Sequence, residues 1–153
     1  MTGQVIRRLV HVGCVVGLVG VLLWALPAQA EAKRSLYERL GGYDAINAVV
    51  NEFAGHLFAD EKLAAFFEGW SAEKQAKFKQ LNTLLVCSAT GGPCTYLGRS
   101  MPASHQGMGI TDARFDQVAG HLVMTLDKFK VPKAEKEELL SIIGGLRPEI
   151  VGK

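Results

Sequence analysis

Cysteine is scarce in this chain: three residues in 153, at positions 14, 87 and 94, and never as a Cys-x-x-Cys pair. That removes the usual thiolate zinc site, an iron–sulfur cluster and, with no Cys-x-x-Cys-His, covalent attachment of a c-type haem. Ser-His-Asp in catalytic order, a glycine-rich phosphate loop and an EF-hand loop are also missing, so triad hydrolysis, P-loop nucleotide binding and calcium sensing have no motif. An excess of one charge sign is lacking too. Without Arg7 and Arg8, which fall in a segment expected to be removed, the 17 basic side chains become 15 against 15 acidic ones. A balanced domain carries no basic stripe for nucleic acid or anionic lipid. No stretch alternates with period two long enough to be a strand, and there are no repeats or low-complexity linkers. What remains is one all-α domain, since 153 residues are too few for two comfortable cores.

The N-terminus reads as an export signal. Arg7-Arg8 precede an uncharged apolar run from position 9 to 30, Pro27 breaks any helix, and Ala28-Gln29-Ala30 offers small residues ahead of Glu31. Residues 1–30 are therefore expected to be a cleaved signal peptide and 31–153 the folded domain. The run is also near the ~20 residues that span a bilayer, so an uncleaved inner-membrane anchor is the alternative and would give the only membrane association. Either way the domain is expected in the periplasm or otherwise outside the cytoplasm. Cys14 leaves with the signal, and Cys87 and Cys94 remain as an even pair in an oxidising compartment. Separated by a Gly91-Gly92-Pro93 reversal, they form a disulfide if the chain turns back there, worth roughly 2–3 kcal/mol by loop closure. Two buried free thiols are the other reading.

Helix punctuation is clear. Ser35 and Glu38 make a capping box for a short helix through Leu40, stopped by Gly41-Gly42. Asp44 is expected to cap a helix over 45–59, with Ile46, Val49, Val50, Phe53, Leu57 and Phe58 at i, i+3, i+4 spacing. A brief turn over 63–67 ends at Gly69. Ser71 opens a helix to about Thr90, with Ala76, Gln80, Thr83, Leu84 and Cys87 along one side. Residues 94–109 read as an irregular loop with one helical turn at 103–106. Thr111 opens a helix bearing Phe115, Val118, Leu122 and Leu126, ended at Val131-Pro132. Pro132 starts a last one holding Leu139, Leu140, Ile142, Ile143 and Leu146.

Three histidines survive processing. His56 lies beside the apolar face of its helix and reads as partly packed. His121, in a strongly apolar helix, reads as a core histidine satisfied by a neighbouring carbonyl. His105 alone lies in the irregular region, followed by Gly107 and Gly109 and preceded by Met101. A ligand histidine presents one neutral ring nitrogen while its other is held in place, and glycines let the backbone approach a flat cofactor.

The segments Ser35-Leu-Tyr-Glu-Arg-Leu-Gly-Gly42, 53–67, Gly91-Gly92-Pro93, Tyr96-Leu-Gly-Arg-Ser-Met101, His105-Gln-Gly-Met-Gly-Ile-Thr111 and 115–122 closely resemble group I truncated haemoglobins, in order and over 35–150. The resemblance implies a truncated globin, a two-over-two helical sandwich around haem b, with Gly41-Gly42 and Gly91-Gly92 as its glycine pairs. It implies His105 as the proximal iron ligand, Met101 beside the haem, Arg99 at a propionate and Tyr96 along the haem. Phe66 and Phe67 would open the distal pocket, and Val118 would lie beneath the haem. Phe53, Leu84, Phe115 and Leu122 would be haem or core contacts. The family's distal tyrosine position is Ala54 here. That leaves Gln80 and Thr83 as distal candidates. The stretch between Gly69 and Gly91 is longer than expected, so a slip of one residue would instead bring Lys79 or Asn82 to the iron.

By this resemblance the chain would bind oxygen, nitric oxide or carbon monoxide reversibly. It would be primarily an oxygen carrier, with nitric-oxide dioxygenation possible given an unidentified electron donor. The alternative is a six-coordinate haem redox or sensing module, in which Lys79 ligates the iron and a Cys87–Cys94 disulfide switches the pocket.

Overall fold

The computed structural model describes residues 34–153. The leader expected over 1–30, with Cys14, lies outside them. Seven helices follow in order: α1 Leu36–Arg39, α2 Gly42–Ala59, α3 Ala72–Ala89, α4 Met101–His105, α5 Asp112–Lys128, α6 Lys133–Gly144 and α7 Arg147–Ile150, with a 3-10 turn at Ala64–Phe66. There is no strand among the described residues, and none of these helices is long and apolar enough to cross a membrane.

The punctuation read from sequence explains most of the boundaries. Ser35 Oγ accepts from the Glu38 amide at 3.2 Å while Glu38 accepts from the Ser35 amide at 2.8 Å. The hydroxyls of Ser71 and Thr111 cap α3 and α5 in the same manner, accepting from the Lys74 and Arg114 amides at 3.2 and 3.3 Å. Each satisfies an amide that the helix start would otherwise orphan. Asp44 is not the cap of α2. The helix begins at Gly42, with left-handed Gly41 (φ 95°) at the cap and Asp44 within the first turn, where its charge meets the positive helix end. The helical turn of the long loop falls at 101–105 rather than 103–106, because Ser100 supplies the cap. The helix that Pro132 starts, α6, stops at Gly144, so Leu146 lies outside it, between α6 and α7.

α2 crosses both α3 and α5, α5 packs on α6, and α1 bridges α2 and α6, giving the two-over-two globin sandwich. One core cluster joins Leu36, Leu126 and Leu139, with Val49, Val86 and Leu122 against it. The other joins Ile46, Val50 and Cys87 under Tyr37 and Cys94. This second cluster includes the reversal after α3, where Cys87 and Cys94 are bonded with Cα atoms 5.8 Å apart. The Tyr37 amide donates to the Thr90 carbonyl at 2.8 Å, and the Gly92 amide to the Cys87 carbonyl at 2.8 Å. Gly92 has no room for a side chain: a Cβ there would stand 2.5 Å from the Tyr37 ring and 2.7 Å from Cys87 Sγ.

Candidate functional site

α4 is only five residues long, and its last residue is His105. The ring Nδ1 lies 2.8 Å from the Met101 carbonyl, one turn back. A carbonyl can only accept, so Nδ1 carries a proton, and in the neutral imidazole Nε2 keeps a free lone pair. His105 and Met101 are both half-buried. The approach to α4 is braced by Tyr96, whose hydroxyl donates to the Arg99 carbonyl at 3.0 Å. Its ring lies on Gly98, where a Cβ would come 2.1 Å from the phenol oxygen. Arg99 itself is exposed, and among the described residues no carboxylate pairs with its guanidinium.

Phe67 sits in an aromatic cluster with Phe58, Trp70 and Phe78, ring centroids 5.0, 5.2 and 6.0 Å away. Phe66 is half-buried with the Arg114 guanidinium 5.6 Å from its ring centre. Trp70 escaped the sequence reading, although it stands three residues after Phe67. Ala54 is fully buried and brings no hydrogen-bond donor. Val118 is half-buried between Phe115 and Leu122 on the inward side of α5.

α3 sorts the distal candidates by face. Thr83 is wholly buried, its hydroxyl shared between the Lys79 carbonyl at 3.0 Å and Asn47 Oδ1 at 3.3 Å. Gln80 and Lys79 line the groove with Asn47 and Asn51 of α2. Gln80 and Thr83 therefore face the side of α2 that carries Asn47 and Asn51. At about 100° per residue, the one-residue step from Thr83 to Asn82 passes to a different face. Asn82 donates to the Phe78 carbonyl at 2.9 Å and stands one turn from both Phe78 of the aromatic cluster and Val86 of the core. Leu84, two residues on from Asn82, lies on nearly the opposite side of α3 and is half-buried.

His121 is satisfied by a carboxylate, not a carbonyl. Its Nε2 lies 2.6 Å from Asp60 Oδ2, which also accepts from Gln117 Nε2 at 2.7 Å. Asp60 Oδ1 accepts from the Lys62 amide at 2.8 Å. The His121 hydrogen bond, above all, holds the Asp60 carboxyl at about 2, below its ordinary 3.8. The His56 ring stacks on His121 at 6.1 Å, and its Nε2 meets Glu52 at 3.2 Å. Among the described residues, the Nε2 atoms of both imidazoles are thus engaged by carboxylates, while His121 Nδ1 is buried with no hydrogen-bond partner; His105 differs in having its Nδ1 held by main chain and its Nε2 without a partner.

Among the described residues no group of three or more His, Cys, Asp or Glu side chains could hold a metal by themselves. One imidazole with an oriented lone pair and an arginine without a carboxylate partner six residues before it fits a metal that brings its own equatorial ligands. That donor set fits haem iron.

Comparisons with known proteins agree. The model of the bacterial-like globin family matches residues 35–151. A group 1 truncated haemoglobin, GlbN, from Mycolicibacterium paratuberculosis is 41% identical over 116 residues, covering 76% of this chain and 83% of the relative. The group 1 truncated haemoglobin of Tetrahymena pyriformis is 32% identical over 78% of this chain and 97% of its own. The Fe(III) crystal structure of a Tetrahymena pyriformis truncated haemoglobin superposes with a TM-score of 0.73 at 30% identity, covering 78% of this chain and all of that one. The 2/2 haemoglobin of a Synechococcus species, solved with covalently attached haem, gives 0.71 at 36% identity, over 78% of this chain and all of its own. The chain belongs to the bacterial-like globin family, among the group 1 truncated haemoglobins, which are gas-binding haem-iron proteins.

Proposed function

We propose that this protein is an exported haem b globin that binds oxygen or another diatomic gas reversibly, its iron ligated by Nε2 of His105. The observation that carries the assignment is the Met101 carbonyl on Nδ1, which fixes the tautomer a metal ligand needs. Haem iron supplies the affinity for diatomic gases when bound. The chain's own residues do the rest. Phe66, Phe67, Met101 and Val118 exclude water, Arg99 meets a propionate, and Tyr96 holds the loop that carries both Arg99 and His105. With Ala54 unable to donate, Asn82 is the polar group we assign to the distal side.

Reversible oxygen carriage is the first reading. Nitric-oxide dioxygenation comes second, because it needs an electron donor and a firmer distal hydrogen bond. The Cys87–Cys94 bond supports the oxidising, periplasmic setting that the leader implies.

The test is spectroscopic. His105→Ala should lose the Soret band after haem loading, with external imidazole restoring it, while His121→Ala keeps it. If both variants lose haem alike, the ligand assignment fails. A five-coordinate ferrous spectrum supports gas carriage, whereas a low-spin six-coordinate one refutes it in favour of the redox or sensing module.

A further inference from the structure

Lys79 and Gln80 are left without a role once Asn82 takes the inward face of α3. Both line an open groove of about 390 Å³ between α2 and α3, together with Asn47, Asn51 and Gln75, and with Tyr43 at the rim. We propose that this groove binds a small sugar acid, a polyhydroxylated monocarboxylate such as a hexuronate. The proposal is independent of the haem assignment.

Charge comes first. No carboxylate lines the groove, and among the described residues none lies within ion-pair distance of the half-buried Lys79. An ammonium with no counter-charge nearby favours an anionic occupant. Hydrogen-bonding capacity comes second. Asn51 Nδ2 is committed to the Asn47 carbonyl at 2.8 Å and to Asn47 Oδ1 at 3.1 Å. Asn47 Oδ1 also accepts from Thr83, so the Asn47 amide is fixed with its own NH₂ left to donate. Carboxamides both donate and accept, as Gln75 and Gln80 do here, and so pair with hydroxyls that do the same. Tyr43 is 39% exposed, and its ring offers an apolar face to sugar C–H groups. A lone ammonium is a point charge, and the groove has no arginine fork or glycine-rich loop of the sort a polyphosphate needs.

Saturation-transfer NMR on the haem-loaded protein, with glucuronate as probe and glucose as its neutral control, tests the proposal. Glucuronate should bind saturably, with glucose weaker by about tenfold or more, the loss of one charge-assisted contact. Lys79→Met should cost glucuronate a similar factor while leaving the Soret spectrum unchanged, and Gln80→Leu, at the exposed rim, should weaken both sugars in a folded protein. No saturable glucuronate signal up to roughly 50 mM overturns the proposal. So does equal binding of glucose, or binding undiminished in both variants.

Discussion

Replacing Gly92 with alanine should destabilise the domain by about 1–3 kcal/mol, the usual cost of forcing a methyl into a packed site. The three nearest atoms to the added Cβ would be the Tyr37 ring at 2.5 Å, Cys87 Sγ at 2.7 Å and the Cys87 carbonyl at 2.8 Å. None of them yields easily. The Tyr37 hydroxyl accepts from the Tyr43 amide at 3.0 Å, the sulfur is bonded to Cys94, and the third atom is backbone. Gly92 is not among the glycines with positive φ, so the loss comes from contact and not from the dihedral. The opposing gain, a less flexible unfolded chain, is only about 0.4–1 kcal/mol. Gly55 provides the matched control. It lies inside α2 with nothing within 4 Å of an added Cβ, so Gly55→Ala should stabilise by about 0.5–1 kcal/mol. Urea denaturation followed by circular dichroism reads both changes. If Gly92→Ala is neutral or stabilising while Gly55→Ala behaves as stated, the packing argument at the reversal is wrong.

The Asp60 carboxyl, held at about 2 against 3.8, contributes stability that is complete above the unfolded value and is lost as pH falls from near 4 toward 2. Asp60→Asn should therefore flatten the acid limb of a stability–pH profile, and an unchanged limb would reject the coupling. Reduction of Cys87–Cys94, or Cys87→Ser with Cys94→Ser, should cost roughly 2–3 kcal/mol in the same denaturation assay. Thiol titration of exported, unreduced protein in denaturant should find no free cysteine.

The local parts of this fold were legible in the sequence because their causes are local. Ser35, Ser71 and Thr111 each satisfy an amide three residues away, and each boundary lies where the cap put it. Asp44 failed as a cap because two consecutive glycines let the chain enter the helix earlier, with both φ values positive. The His105–Met101 bond spans one turn and agrees with the setting that marked His105 out. The distal face of α3 was harder to read. Gln80, Thr83 and Asn82 are all plausible on a helical wheel, and only the Asn47 contact 36 residues away decides between them. The Asp60–His121 pair, 61 residues apart, is non-local in the same way: a histidine on an apolar helix announces the need for a partner but not which one.

The tautomer of His105 is set by main chain within a single five-residue helix. Changing the side chain at position 101 can alter the surroundings of the ring but leaves the accepting oxygen in place. The hydrogen bond that orients the imidazole is therefore local, while the five-residue helix that presents it is too short to persist alone and depends on its packing against α7.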